Sequence, residues 1–413
     1  MSRLLLLEAM GNTGAYLIRA AAGLGQKVTV VTHEDIYRKF YTPELKKLIG
    51  EDIVFTDFSD VDGCRDQLAT YSRSNQVSGV LCGWEFLSPL VAELAAELEL
   101  PGNDPVRALG CRNKRVMAEL FAQFEVPSPR TILASTYESA VEQIAAHGQN
   151  YPLVVKPAEQ SASWGVSVVR APEQLAAAFE LARSWPMETP HYIALDTTVI
   201  VQEYVGGVEY SVEAIASRGR VMMLPVTEKF TTQDSYRVET GHTVPAVLPN
   251  STLDTIRSIS EQALRALGVH NGVAHIELKI QTDGSARIIE VGARLPGDHV
   301  VRLMKEACGI DEARAYIQAV TGVEPETTPL LGRAAAIRFF TSYREGTFNG
   351  LTGIGSSPHV VETVTAEPGT PVGGVRSKGN DARVGHTLLI ADSTGQVNAA
   401  AEAVMARVTV EVS

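Results

Sequence analysis

Cysteine is scarce in this chain: Cys64, Cys82, Cys111 and Cys308 are the only four in 413 residues, with no CxxC and no paired spacing. That scarcity excludes a disulfide framework and a cysteine-built zinc site, and predicts scattered reduced thiols. Long apolar runs are also missing. The N-terminal LLLLEAMG is broken by Glu8 after four leucines, and no small-residue cleavage site follows. No stretch approaches the roughly twenty apolar residues that span a bilayer. Basic charge is in deficit, with 36 Lys and Arg against 48 Asp and Glu and a formal charge of −12. Such a chain has no general attraction for nucleic acid or an anionic membrane, although a local basic pocket remains open to it. Internal repeats and low-complexity tracts are absent, which argues against a solenoid or scaffold. Together these absences predict a soluble, cytoplasmic protein. No face is marked as an interface, and a homodimer is left open.

The composition is that of an ordinary globular protein, 45% apolar and 20% charged. The length predicts about two to four domains. Residues 4–32 read as strand, glycine turn (Gly11-Asn12-Thr13-Gly14), helix and strand. VSGVLCG and LSPLVAELAAELEL repeat the alternation, which predicts an α/β unit with a parallel sheet. Asn103-Asp104-Pro105 is a linker candidate, followed by one helical segment, ALGCRNKRVMAELFAQF. From Tyr151 the pattern changes to strands with tight turns, YPLVVKP, GVSVVR, TVIVQEYV, VEYSVEAIA and RVMMLPV, which read as antiparallel. A helix near 251–267 precedes GVAHIELKI and ARIIEVGA, joined at Thr282-Asp283-Gly284. After about residue 320 come short strands and a final helix, AAAEAVMARV. The expected division is 1–104, 105–320 (lobes about 105–200 and 201–320) and 321–413.

The strongest chemical constellation is Glu277 on one predicted strand and Glu290 on the next, flanking the hairpin turn. If the strands are antiparallel neighbours, the two carboxylates lie side by side. Buried like charges then require a cation between them, and oxygen ligands shared with phosphate are what Mg²⁺ prefers. Arg294, four residues beyond Glu290, is placed to stabilise charge on a transferring phosphoryl group. The plainer reading is two strand glutamates paired with lysines, and the following GARLPGD favours the metal. Lys156 ends the strand LVVKP and Lys114 lies in the helix-opening segment CRNKRVM, so their ammonium groups can reach different phosphates. Between later strands, Gln160 to Val166 is a small-residue loop in which Ser163 and Gly165 let backbone N–H groups approach phosphate. An ordinary turn explains it equally well.

Gln202-Glu203-Tyr204-Val205 leads into Gly206-Gly207 as a hinge. Its backbone could meet the edge of an adenine, and Glu209 could accept from ribose hydroxyls; a plain strand and bulge is the alternative. His242 and His275 are candidates for contacting substrate or relaying a proton, against a purely structural role. Trp164 and Tyr236 are candidate lid residues, or simple packing.

The order of these parts resembles the ATP-grasp superfamily over roughly residues 1–315: the NK segment with Lys114, the VVKP strand with Lys156, the small-residue loop, QEYVGGVEYSVE, and HIEL…IIEVGARLPGD. The resemblance implies an N-terminal Rossmann-like domain, a two-lobed nucleotide clamp and a C-terminal extra lobe, in α/β and α+β architecture. It implies ATP contacts from Lys114, Lys156, Ser163, Gly165, Glu203, Tyr204, Val205 and Glu209. It also implies Mg²⁺ (or Mn²⁺) on Glu277 and Glu290, with Arg294 at the reaction centre. That family often has Asn two residues after the second metal carboxylate; this chain has Gly292, leaving that coordination to water or to a bridging Glu277. A narrower resemblance, to L-amino-acid ligases of the bacilysin type, rests on Val238–Ala246, GARLPGDHV, AAIRFF and PVGGV. It implies a carboxylate–amine ligase acting on small molecules, with amino acids in either role, through an acyl phosphate. The alternatives are a carboxylase or purine-pathway ligase on the same clamp, and a non-catalytic nucleotide-binding regulator. A dinucleotide binder is a weaker third, since AMGNTG lacks the first glycine of GxGxxG.

Overall fold

The computed structural model describes residues 2–232, 237–354, 357–374 and 379–413; Tyr236 lies outside them. Four strands form the first sheet: β1 (Arg3–Leu7), β2 (Lys27–Thr32), β3 (Ile53–Phe55) and β4 (Val77–Cys82), in the order β3-β2-β1-β4 and all parallel. Helices cover both faces of β1, so its four consecutive leucines are all buried, as a central parallel strand requires. The Gly11–Gly14 segment is not a separate turn. It forms the first turn of the helix Gly11–Gly23. A Cβ on Gly14 would come within 2.1 Å of the Ala9 carbonyl, so glycine there permits the helix to lie against the end of β1.

The single helix expected around Lys114 is divided. A 3₁₀ turn, Ala108–Cys111, ends before Asn113, whose side chain caps the helix Lys114–Gln123 by accepting from the N–H groups of Arg115 and Val116. Lys114 thereby opens that helix, and its own N–H bonds the Ala158 carbonyl at 2.8 Å.

A second sheet, in the order β5-β8-β6-β7, contains β5 (Thr131–Ala134), β6 (Leu153–Pro157), β7 (Ser167–Val169) and β8 (Val199–Glu203), all antiparallel. The largest sheet has nine strands. It includes β9 (Val208–Ser217), β10 (Arg220–Met223), β11 (Thr227–Thr231), β12 (Glu239–Val244), β13 (Gly272–Ile280), β14 (Ala286–Gly292) and β15 (Ala334–Thr341). After β16 (Gly346–Thr352), the chain adds β17 (Val360–Thr365) to this sheet, then β18 (Pro371–Val372), and returns as β19 (Arg383–Ala391). β20 (Thr409–Val412) closes a small sheet with β16 and β18. The order β14-β13-β9-β11-β12-β15-β19-β17 is continuous, so the C-terminal strands extend the same sheet that carries Glu277 and Glu290.

One hydrophobic core joins the layers: Leu4 and Leu6 of β1, Ile215 and Val273 of the large sheet, Ile337 of β15, and Leu303 and Ile317 of two helices belong to one buried cluster. Among the described residues, no helix is long and apolar enough to cross a membrane.

Candidate active site

A cavity of about 380 Å³ opens between the second sheet and the large sheet. Glu277 and Glu290 face each other directly across β13 and β14, where the register shifts by a bulge immediately after Glu277. Bulges re-aim side chains, and this one lies beside two carboxylates that share a face. Neither stands alone. Lys229 Nζ lies 2.7 Å from Glu277 Oε1, and Lys114 Nζ lies 2.8 Å from Glu290 Oε1. Burial opposes ionisation of Glu277, but Lys229 and His275 outweigh it and hold the carboxyl well below the usual range.

Lys114 and Lys156 both line this cavity and both are buried. Burial lowers both ammonium groups, with different outcomes. Glu290 and Glu85 reverse the effect at Lys114, whose pKa is raised. At Lys156, burial and the nearby Lys114 dominate and bring it down to about 8. Incoming phosphate would satisfy this buried positive charge. Arg294 also faces the cavity, its Nε 2.6 Å from Glu85 Oε2. Burial works against that guanidinium, but Glu85 outweighs it.

The loop after β6 holds Ala162 at φ 53° and Ser163 at φ 61°, with Gly165 at φ 73°. Two non-glycine residues in left-handed backbone are costly, and such strain gathers at ligand-binding loops. Ser163 and Trp164 line the cavity. Gly165 is needed for packing, because a Cβ there would meet Pro157 Cγ at 2.8 Å and Trp185 Nε1 at 2.9 Å. Trp164 stacks edge-on against Trp185, with centroids 4.8 Å apart.

The hinge residues are brought to the same cavity, with several groups already engaged. Glu203 grips Arg130: its carboxylate accepts from the guanidinium at 2.8 Å and from the Arg130 N–H at 3.0 Å, while its own N–H bonds the Arg130 carbonyl. Glu203 is therefore an anchor for β5 on β8. The Val205 carbonyl accepts from Lys279 Nζ at 3.2 Å, and that ammonium lies 5.3 Å from the Tyr204 ring centroid. Glu209 is held by Lys229 at 3.3 Å and Lys279 at 3.8 Å.

His242 Nε2 lies 3.2 Å from Asp298, and its Nδ1 is buried with no hydrogen-bond partner among the described residues. His275 differs. Its Nδ1 meets Glu213 at 3.0 Å and its Nε2 meets Glu277 at 3.1 Å, so both ring nitrogens are taken and neither is left for substrate. Burial is unfavourable to the charged ring, yet the flanking carboxylates raise its pKa to about 10.

Sequence reasoning missed Lys229, Glu239, Asp298, Arg383, Glu85 and Glu213. Lys229 is the hub, with side-chain exposure of 2% and contacts to Glu209, Glu239 and Glu277. Its signal was a lysine at an inward position of TEKFT, legible only once the strand's covered face is known. Glu239, His242 and Asp298 bring donor atoms within 4.8 Å of one another. Lys229 already lies 2.8 Å from Glu239, and Arg383 binds both oxygens of Asp298 at 2.7 and 2.8 Å, so positive charge is supplied there without a metal. Lysines likewise contact Oε1 of Glu277 and of Glu290, which leaves Oε2 of each as an oxygen ligand of the kind Mg²⁺ takes.

Comparison with known proteins finds family matches along the chain. A model of the ATP-grasp domain matches residues 149–301, a model of the ATP-grasp N-terminal domain matches 18–102, and a model of the L-amino acid ligase C-terminal domain 2 matches 338–413. A crystal structure of an L-amino acid ligase from Bacillus licheniformis superposes with a TM-score of 0.80 at 23% identity, covering 100% of this chain and 99% of that one. The D-alanine–D-alanine ligase of Geobacter sulfurreducens is 30% identical over 39% of this chain and 48% of its own length. The alanine–anticapsin ligase of Bacillus subtilis is 25% identical over 57% of this chain and 52% of its own. The chain thus spans about half the length of these two curated relatives.

Proposed function

We propose that this chain, which belongs to the ATP-grasp family, is an ATP-dependent carboxylate–amine ligase that joins small molecules, with amino acids as its substrates. The observation that carries the reading is the direct pairing of Glu277 with Glu290 on a cavity wall that also presents Lys114, Lys156 and Arg294. The relatives named as ligases of alanine and its analogues support the substrate class. The domain limits 1–104, 105–320 and 321–413 belong to the same proposal.

Lys114 and Lys156 draw the nucleotide phosphates into the cavity, and the loop at Ser163 closes over them with its backbone N–H groups. Glu277 and Glu290 would hold Mg²⁺, or Mn²⁺ in its place. When bound, the ion supplies positive charge to the phosphate oxygens. The γ-phosphoryl group passes to an oxygen of the substrate carboxylate, its bond to the β-phosphate bridging oxygen breaks, and ADP leaves. The amine then attacks the acyl carbon, the bond from that carbon to the phosphate oxygen breaks, and inorganic phosphate departs. Arg294 faces the charge that develops in both steps. The proton lost by the amine needs an acceptor, and the unpartnered Nδ1 of His242 is a buried nitrogen available for that purpose.

The test is ADP and phosphate release measured across pairs of amino acids. Turnover that requires ATP and both partners, with the dipeptide detected by mass, is the expected result. Release driven by bicarbonate alone, or reduction of NAD(P) without ATP, would overturn the proposal. Glu290→Gln should lower turnover on the order of 10³-fold per folded molecule, with a lower melting temperature because buried Lys114 loses its carboxylate.

A further inference from the structure

The reading of Glu277 as a metal carboxylate leaves unexplained why a buried histidine, which lines the same cavity, and a buried glutamate stand beside it. His275 and Glu213 are register partners on β13 and β9, and Glu277 lies two residues along β13 from His275. A strand repeats every two residues, so Glu213, His275 and Glu277 share one face of the sheet. Glu213 is 0% exposed, and its carboxylate receives His275 Nδ1 at 3.1 and 3.0 Å as well as the Ser211 hydroxyl at 3.2 Å. The opposite ring nitrogen reaches Glu277 Oε1 at 3.1 Å.

Holding strands together is one role such a buried cluster can fill, as His191 does elsewhere with Glu8 and Glu188. The geometry points to another use. Lys229 and His275 both engage the same oxygen of Glu277, Oε1, from different strands. Lys229 alone would leave the carboxylate free to follow an ammonium that Glu209 and Glu239 share. Two donors on one oxygen fix the side-chain rotamer and direct Oε2 as the oxygen for a cation opposite Glu290. Outer partners that orient a ligating group in this way typically govern metal affinity by about 10-fold or more.

We propose that Glu213 and His275 are positioning residues for the metal end of the site, with Glu213 orienting the imidazole and the imidazole orienting Glu277. The inference rests on the metal role of Glu277 proposed above. It assigns His275 a place beside the carboxylate, without contact to substrate.

The test is Mn²⁺ binding to the full chain, followed by the electron paramagnetic resonance of free Mn²⁺ in the presence of a non-hydrolysable ATP analogue. Melting temperature and analogue binding in EDTA are measured alongside. His275→Gln and the isosteric Glu213→Gln should each weaken Mn²⁺ by about 10-fold or more, while analogue binding in EDTA changes little. Glu213→Asp, which keeps the charge, should recover part of the loss. Mn²⁺ affinity within about twofold of the parent in the two Gln variants, while Glu277→Gln loses it, overturns the positioning role and leaves the metal reading intact. Parental affinity in Glu277→Gln overturns both. A lowered melting temperature with unchanged Mn²⁺ affinity marks a purely structural pair and also counts against the proposal. If His275→Gln does not fold, Glu213→Gln decides alone.

Discussion

Two histidines in this molecule are each wedged between two glutamates, and the neighbourhoods differ in one respect. His191, 3% exposed, contacts Glu8 at 2.9 Å and Glu188 at 3.2 Å. Its glutamates are saturated by fixed partners. Glu8 accepts from the N–H groups of Ala9 and Met10, the hydroxyls of Tyr41 and Thr32, and His191, while Glu188 accepts from Trp84 Nε1 and the His191 N–H. His275 has the same two-carboxylate bracket, but Glu277 on its far side lines a cavity. A closed bracket has every acceptor filled by the chain and can only stitch the first domain to residues 188–191. An open one ends on a carboxylate that can serve a ligand. Identical residue types thus yield a closed seam in one place and a cavity-facing carboxylate in the other, and the difference lies in what the last oxygen faces.

The sharpest way to break this comparison is to neutralise one carboxylate of each bracket. Glu277→Gln should cost turnover on the order of 10³-fold per folded molecule, with a fall in melting temperature because Lys229 and His275 lose their shared carboxylate. Glu8→Gln should leave turnover per folded molecule near that of the parent. Steady-state kinetics beside calorimetry reads both, and a large loss of turnover in folded Glu8→Gln would erase the distinction.

Next in size is stability. His191→Gln removes one partner of a buried ionic cluster and should cost about 3 kcal/mol in denaturant unfolding at pH 7. The pH dependence follows from the direction of the shifts. Burial opposes the charged ring, but Glu188 and Glu8 raise His191 to about 9, above its ordinary value. Its contribution is therefore complete below the ordinary histidine range and is lost as pH rises through about 9. Burial also opposes the charged form of Glu8, yet His191, Tyr41 and Thr32 hold it below the usual carboxylate range, so its contribution fades as pH falls. The gap between parent and His191→Gln should thus shrink from pH 7 to pH 10; a constant gap would show that the charge is irrelevant.

The smallest effect concerns Glu312, which is 0% exposed and has no partner on either oxygen among the described residues. Burial first, and then Glu213, push its carboxyl well above the ordinary range. The folded state thus holds a proton that the unfolded chain releases, and stability falls as pH rises above the usual carboxylate range. Glu312→Met, similar in volume and apolar, should gain roughly 1 kcal/mol at pH 8 and less at pH 4. Equal gains at both would refute the protonated-acid account.

Much of this was legible in the sequence because period and turn chemistry act locally. The leucines of β1 announced a doubly covered strand, and the hairpin at Asp283-Gly284 placed Glu277 opposite Glu290. Lys114 and Lys156 were legible as lysines at element ends. Asn113 was not read as a helix cap, so the break before Lys114 was missed. Lys229, Asp298 and Arg383 were invisible for another reason. Their meaning comes from strand order, and β12 pairing with β15 across 90-odd residues leaves no local trace. His275 was open to substrate contact, a proton relay or a structural role, because sequence cannot tell which neighbours will claim a ring's nitrogens.

The continuity of the large sheet bears on how this protein can be rebuilt. Arg338 on β15 donates to the His242 carbonyl at 3.0 Å and to the Thr243 hydroxyl at 3.2 Å, and Arg383 at the head of β19 clasps Asp298. The last ninety residues are therefore not a detachable cassette. A chimera that exchanges them also exchanges the scaffolding behind His242 and Asp298.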